Sequence, residues 1–323
     1  MLLILLAACD PVVVPPVART PVDLSGDTGT IDDRVSIEEH AGLIGDDAVL
    51  QGPDVIIPPL ADVMLCVAGT WTGGDVGLRG YRVQQGSIGH HFMIGRLEAT
   101  QEELPDGASV DCTPSMDTQM PTYFPFLFPD SMDPDEDLVP DLPAGVAERL
   151  SDGDRWLTQA HYLNHHDRPV RVQDLLALDT VPLDAVDQWA SAWINEGEGF
   201  SIAPGTTGSW VMECGLDEAV RVRYTGPHMH AYGISWQVEL ERATGEVSSL
   251  AELPDWQAEW QNIPKFSAVD VDLAPGDILR STCTWTNTSD APLEFPHEMC
   301  ITFSAVYPLE DTTICKGGWQ VGG

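Results

Sequence analysis

Two short strings carry donor atoms at metal-binding spacing. Gly-Pro-His-Met-His at 226–230 places His228 and His230 one residue apart, and His-Glu-Met-Cys at 297–300 adds the thioether of Met299. Side chains i and i+2 of a β-strand share a face, so two imidazoles at that spacing can grip one ion. Two imidazoles with a thioether suit copper, above all Cu(I), better than zinc, calcium or magnesium. Upstream, Ile-Gly-His-His-Phe at 88–92 and Gln-Ala-His-Tyr at 159–162 supply His90, His91 and His161, enough for an all-nitrogen site. A three-histidine set and a His-His-Met set in one chain point to two copper ions with different tasks.

The elements must place these donors. His90 and His91 are adjacent and face opposite ways on a regular strand. To share an ion the strand must bulge or end there, or the two rings must bind through different nitrogens. Gly89 and Gly95 flank the pair and permit such a distortion. His161 shares its face with Leu157, Gln159 and Leu163 by alternation. His165 and His166 precede a turn without alternation and are read as non-ligands. His297, two residues before Met299, is read as a group standing behind the ligands or an occasional ligand. His40 has no company and is expected to be exposed.

Short apolar runs punctuated by 29 Gly and 25 Pro suit an antiparallel sandwich. Residues 219–224 alternate as a strand and meet an expected turn at Gly226-Pro227. Ala274-Pro275-Gly276-Asp277 is a turn launching a strand over 278–286, and 298–307 reads as another strand. Within a Pro- and Asp-rich excursion over 119–150, only 144–150 looks helical. Residues 184–197 open as a short helix or a strand. The domain junction is placed near 183, giving a linker region over 1–35, a first copper domain over 36–183 and a second over 184–323.

Against 15 basic residues stand 51 acidic ones, a net charge of −36. Such a field repels nucleic acid and anionic lipid surfaces and favours cations. No apolar run approaches the roughly 20 residues of a membrane-spanning helix. Leu6-Ala7-Ala8-Cys9 matches a bacterial lipobox. The stretch ahead of it is short and lacks a basic region, so the match is either the tail of a longer leader or chance. Residues 10–35 have the composition of a surface tether. A lipid-anchored location in the bacterial cell envelope is the expectation, with membrane contact only through that anchor. The other six cysteines (66, 112, 214, 283, 300 and 315) form no Cys-x-x-Cys pair. Their even number in an exported chain suggests three disulfides, with the pairing left open by spacing.

Taken together, from about Cys66 to Cys315, the chain resembles the copper type II, ascorbate-dependent monooxygenases, the family of peptidylglycine alpha-hydroxylating monooxygenase and dopamine beta-hydroxylase. The adjacent His-His, the Gln-x-His-Tyr, the His-x-His and the Glu-Met-Cys occur in the family's order and at similar separations. Gly276-Asp277-Ile278-Leu279 followed by Cys283 also looks like the family's strand before its last ligand. The resemblance implies an all-β fold of two jelly-roll-type β-sandwich domains facing across a cleft, one copper in each. It implies an electron-storing copper on His90, His91 and His161, with Gln159 beside it, and a dioxygen-binding copper on His228, His230 and Met299. It also implies disulfides Cys66–Cys112, Cys214–Cys315 and Cys283–Cys300. Peptide-amidating members hold a substrate carboxylate with Arg, Asn and Tyr where this chain has Gly226, Ile301 and Phe303. The expected activity is therefore C–H hydroxylation of a small, less polar substrate near Ile301 and Phe303, using dioxygen and ascorbate or a similar electron donor. The alternatives are a non-catalytic copper-binding envelope lipoprotein and an interaction module with vestigial histidines.

Overall fold

The computed structural model describes residues 29–44, 48–97, 104–112, 123–125, 129–131, 142–258, 260 and 265–322. Cys9 and its lipobox lie outside them. The described chain is almost entirely β, with one α-helix among these residues, Ile37–Ile44. The expectation of an all-β sandwich fold holds.

Two sandwiches share one sheet. In the second half, Ser267–Leu273, Val220–His228, Cys300–Tyr307 and Gln188–Gly197 lie side by side in a ten-stranded sheet. They face a five-stranded sheet of Val247–Leu253, Gly233–Glu241, Ile278–Thr286, Thr207–Gly215 and Trp319–Gly322. Trp193, Val222 and Val306 from the first sheet pack against Trp210, Trp236, Leu279 and Trp285 from the second. Ile278–Thr286 shows why it is a strand: Leu279, Ser281, Cys283 and Trp285 are buried and their neighbours half-buried, the period-2 pattern of a pleated ribbon.

In the first half, Val76–Gln84, Leu175–Val181, Ala48–Gln51 and Val146–Leu150 belong to the same ten-stranded sheet. Opposite lies a five-stranded sheet whose centre is Asp62–Thr70, Arg155–Leu163 and Gly89–Leu97. Leu78, Tyr81, Leu150, Leu176 and Leu178 meet Ile94 between them. The sheet passes from one half to the other where Val146–Leu150 pairs in parallel with Gln188–Gly197.

All three expected disulfides are present: Cys66–Cys112, Cys214–Cys315 and Cys283–Cys300, each with Cα atoms 5.8 Å apart. They indicate an oxidising compartment outside the cytoplasm.

Several local expectations change. Residues 144–150 are not helical: Val146–Leu150 is a strand paired along parts of both edges, and sheet pairing overrides a weak helical pattern. Gly226 and Pro227 do not turn the chain but continue the strand Val220–His228. Proline is tolerated there because the neighbour on one side pairs only as far as Thr225. Residues 31–35, assigned to the linker, are built into the fold. Ile31–Asp32 pairs with Val170–Val172, and Val35 is buried. After a short 3-10 turn at Leu183–Ala185, the segment of undecided type becomes the strand Gln188–Gly197. His40 is half-buried rather than exposed, its Nδ1 donating to the Ser36 carbonyl at 3.0 Å on the first turn of the helix.

Candidate metal centres

Each donor set sits where a strand departs from regular pairing. Along Gly89–Leu97, His91 pairs with His161 but Gly89 pairs with Tyr162, so His90 is the extra residue of a β-bulge. This is the distortion that adjacent histidines need in order to serve one ion. The rings of His90 and His161 lie edge to face with centroids 5.1 Å apart. His91 stands directly across the ladder from His161 by register. Gln159 is buried two residues before His161 and pairs with Cys66 of the neighbouring strand, so the Cys66–Cys112 bridge stiffens the sheet beneath the site.

Asp62, which the sequence did not single out, completes this neighbourhood. Its carboxylate accepts from His161 Nε2 at 2.6 Å. A carboxylate can only accept here, so the ring carries its proton on Nε2, and Nδ1 bears the lone pair that a metal ligand needs. Asp62 and His161 are 99 residues apart, and nothing in the local sequence marks their meeting.

The second set depends on another bulge. Val222 pairs with Val306 inside the sandwich, but Tyr224 pairs with Ala305 on the outer face, and Arg223 is the residue between. From there Gly226 pairs with Phe303 and His228 with Ile301. The bulge therefore turns His228 outward, whereas unbroken alternation with Val220 and Val222 would point it into the core. Asp270, held at φ 45°, takes bidentate hydrogen bonds from Arg221 and an ion pair from Arg223 at the same place. Beyond His228, Met229 is fully buried. The rings of His228 and His230 lie 5.2 Å apart, edge to face.

His230 is held on every polar atom but one. Its Nδ1 donates to the His297 carbonyl at 3.0 Å, and its own carbonyl accepts from the Trp256 indole at 3.0 Å. Its backbone N–H donates to Glu298. Nε2 is the nitrogen left for a ligand. His297 itself lies exposed in a turn, so it supports the site through its backbone carbonyl. The strand expected from 298 begins at Cys300, and Met299 is the half-buried residue just before it. The Cys283–Cys300 bridge fastens that strand to the facing sheet one residue beyond the thioether.

Glu298 is a second residue that the sequence did not single out. It is fully buried, and burial pushes its carboxyl above the usual carboxylate range while the N–H groups of His230, Met299 and Tyr232 pull it back. A glutamate next to a methionine reads as solvated surface, and only the fold reveals otherwise.

Ile301 and Phe303 share the outer face with His228, packed with Phe266 around Tyr224 and Ala305. A side chain at Gly226 would meet the Lys265 carbonyl at 2.5 Å and the Phe266 ring at 2.6 Å. Phe266 thus occupies the room a larger residue at 226 would need. Gly226, Ile301 and Phe303 come together here as one apolar wall. His165 and His166 are exposed in the turn after Arg155–Leu163.

Among the described residues no group of three or more His, Cys, Asp and Glu side chains converges as a metal site. A two-imidazole, one-thioether set falls outside that class, whereas the three-histidine set falls within it, and among the described side chains only the rings of His90 and His161 are seen to meet. The donors fit copper: paired imidazoles, a fixed tautomer at His230 and a soft sulfur next in line. Compared with known proteins, the chain matches no family model and no curated protein by sequence.

Proposed function

We propose that this chain is a copper-dependent monooxygenase that hydroxylates a C–H bond of a small, largely apolar molecule. Dioxygen provides the inserted atom, and an ascorbate-like reductant provides two electrons, the second oxygen atom leaving as water. The observation that carries this reading is the pair of unlike donor sets, each opened by its own bulge: His90 beside His161, and His228 beside His230, whose N–H shares the Glu298 carboxylate with that of Met299.

Copper, when bound, would supply the one-electron chemistry that protein side chains lack. The chain's own residues would hold and aim it. Nδ1 of His161, oriented by Asp62, would join His90 and His91 at the nitrogen-only site. Nε2 of His230 would join His228 and Met299, whose thioether favours Cu(I) and so a state able to meet dioxygen. Ile301, Phe303 and Phe266 would line the approach on the His228 face. Nothing at 226, 301 or 303 can hold a carboxylate, which argues against peptide amidation. The disulfide-bonded, acidic chain suits an exported enzyme, and Cys9 would be its lipid anchor to a bacterial envelope.

The test is copper-loaded protein with ascorbate, screened by mass spectrometry against a panel of small apolar compounds. A product heavier by one oxygen atom, labelled from ¹⁸O₂, is expected. Copper uptake without product or substrate-dependent oxygen consumption would instead favour the non-catalytic copper-binding role.

A further inference from the structure

One buried carboxylate joins two separate segments at the second site. Glu298 Oε1 accepts from the backbone N–H of His230 and, at 3.0 Å, from that of Met299. Oε2 accepts from the N–H of Tyr232 at 3.1 Å. His230 and Tyr232 belong to the loop joining Val220–His228 to Gly233–Glu241, and Met299 immediately precedes Cys300–Tyr307. The side chain is fully inaccessible to solvent. Burying a carboxylate is costly, and the hydrogen bonds that offset the cost come from backbone N–H groups of exactly those segments that carry donors. An apolar residue would fill the same space without that cost, so packing alone does not account for a glutamate here.

Resting on the copper reading above, we propose that Glu298 is the positioning residue of the His228/His230/Met299 site. By gripping the histidine loop and the methionine segment through one carboxylate, it sets the thioether against the two imidazoles. It touches no substrate and is no ligand itself. Its partners are fixed N–H groups, so the constraint is already in place before any ion arrives.

Three variants of the full chain test this, each loaded with Cu(I). Glu298→Ala removes both acceptor oxygens. Glu298→Gln keeps one oxygen for His230 and Met299 and sets an amide NH₂ against the Tyr232 N–H. Thr302→Val is the control: it deletes the buried acceptor of the Trp236 indole on the strand that follows Met299, without touching the loop. In Glu298→Ala, Cu(I) affinity at the second site should fall by about 10–100-fold, with loss of the copper–sulfur signal in X-ray absorption. Glu298→Gln should fall between wild type and Ala, and it carries the test if the Ala variant does not fold. Thr302→Val should keep both affinity and sulfur signal despite lower thermal stability. In the metal-free protein, amide exchange at His230, Tyr232 and Met299 should speed up in the Ala variant. The inference is overturned if both Glu298 variants retain wild-type affinity and sulfur signal, or if Thr302→Val loses them equally. A wild-type chain that takes up no copper here overturns the parent reading as well, and so the two failures are told apart.

Discussion

At the second site the atom that distinguishes copper from harder ions is the sulfur of Met299. Met299→Ile keeps apolar bulk and cannot ligate, so folding stability should shift by less than about 1.5 kcal/mol. Cu(I) retention at this site should weaken and hydroxylation collapse, while the first site still takes up copper. Full turnover in this variant would reduce Met299 to core filler. Asp62 offers the matching test at the first site. In Asp62→Ala, His161 loses the acceptor that fixes its tautomer, and copper affinity there should drop about tenfold or more. Metal competition reads this directly, and an unchanged affinity would show that His161 needs no orienting partner. At this scale the candidate donors could be picked out in the sequence because chemistry and spacing are both local. Asp62 and Glu298 were not, because each acts through contacts made only after strands distant in sequence come together.

At the scale of elements, two bulges and one bridge aim the donors. Cys283 and Cys300 are both fully buried and link the facing sheets beside Met299. The double variant Cys283→Ala/Cys300→Ala should lose about 3 kcal/mol of stability in denaturant titration. It should also release copper from the second site more readily than from the first, and equal release from both would separate the bridge from the site. The bulge at His90 was one of the alternatives legible in the sequence, since adjacent histidines face opposite ways on a regular strand. The bulge at Arg223 was not. Val220, Val222 and Tyr224 alternate in sequence as though one face ran through them, but the structure divides them between core and outer face. The strand at Val146–Leu150 escaped for a related reason: its pairing partners lie far off along the chain, and five residues carry too little periodicity to reveal a strand.

Across the whole molecule, the shared ten-stranded sheet makes the two halves that carry the candidate sites continuous. Buried in the first half, Asp174 accepts from the Tyr162 hydroxyl at 2.6 Å, and burial pushes its carboxyl up to about 6. The unfolded chain releases that proton near its ordinary value of 3.8. Between those values the folded state holds more protons, so stability falls as pH rises through this window. Asp174→Asn removes the titration. Its stability relative to wild type should rise by about 2 kcal/mol between pH 4 and pH 7, and a difference independent of pH would contradict the assignment. The sandwich class was legible from Gly- and Pro-punctuated apolar runs, whereas the single sheet running through both halves was not, because its junction is one short parallel pairing. The central claim, two coppers in unlike sites, is tested most directly by metal analysis with X-ray absorption on the Cu(I)-loaded full chain. Two coppers per chain are expected, with sulfur scattering from one. His90→Ala/His91→Ala should remove the sulfur-free copper and spare the other. A single copper, or two zinc ions that copper cannot displace, would contradict the account.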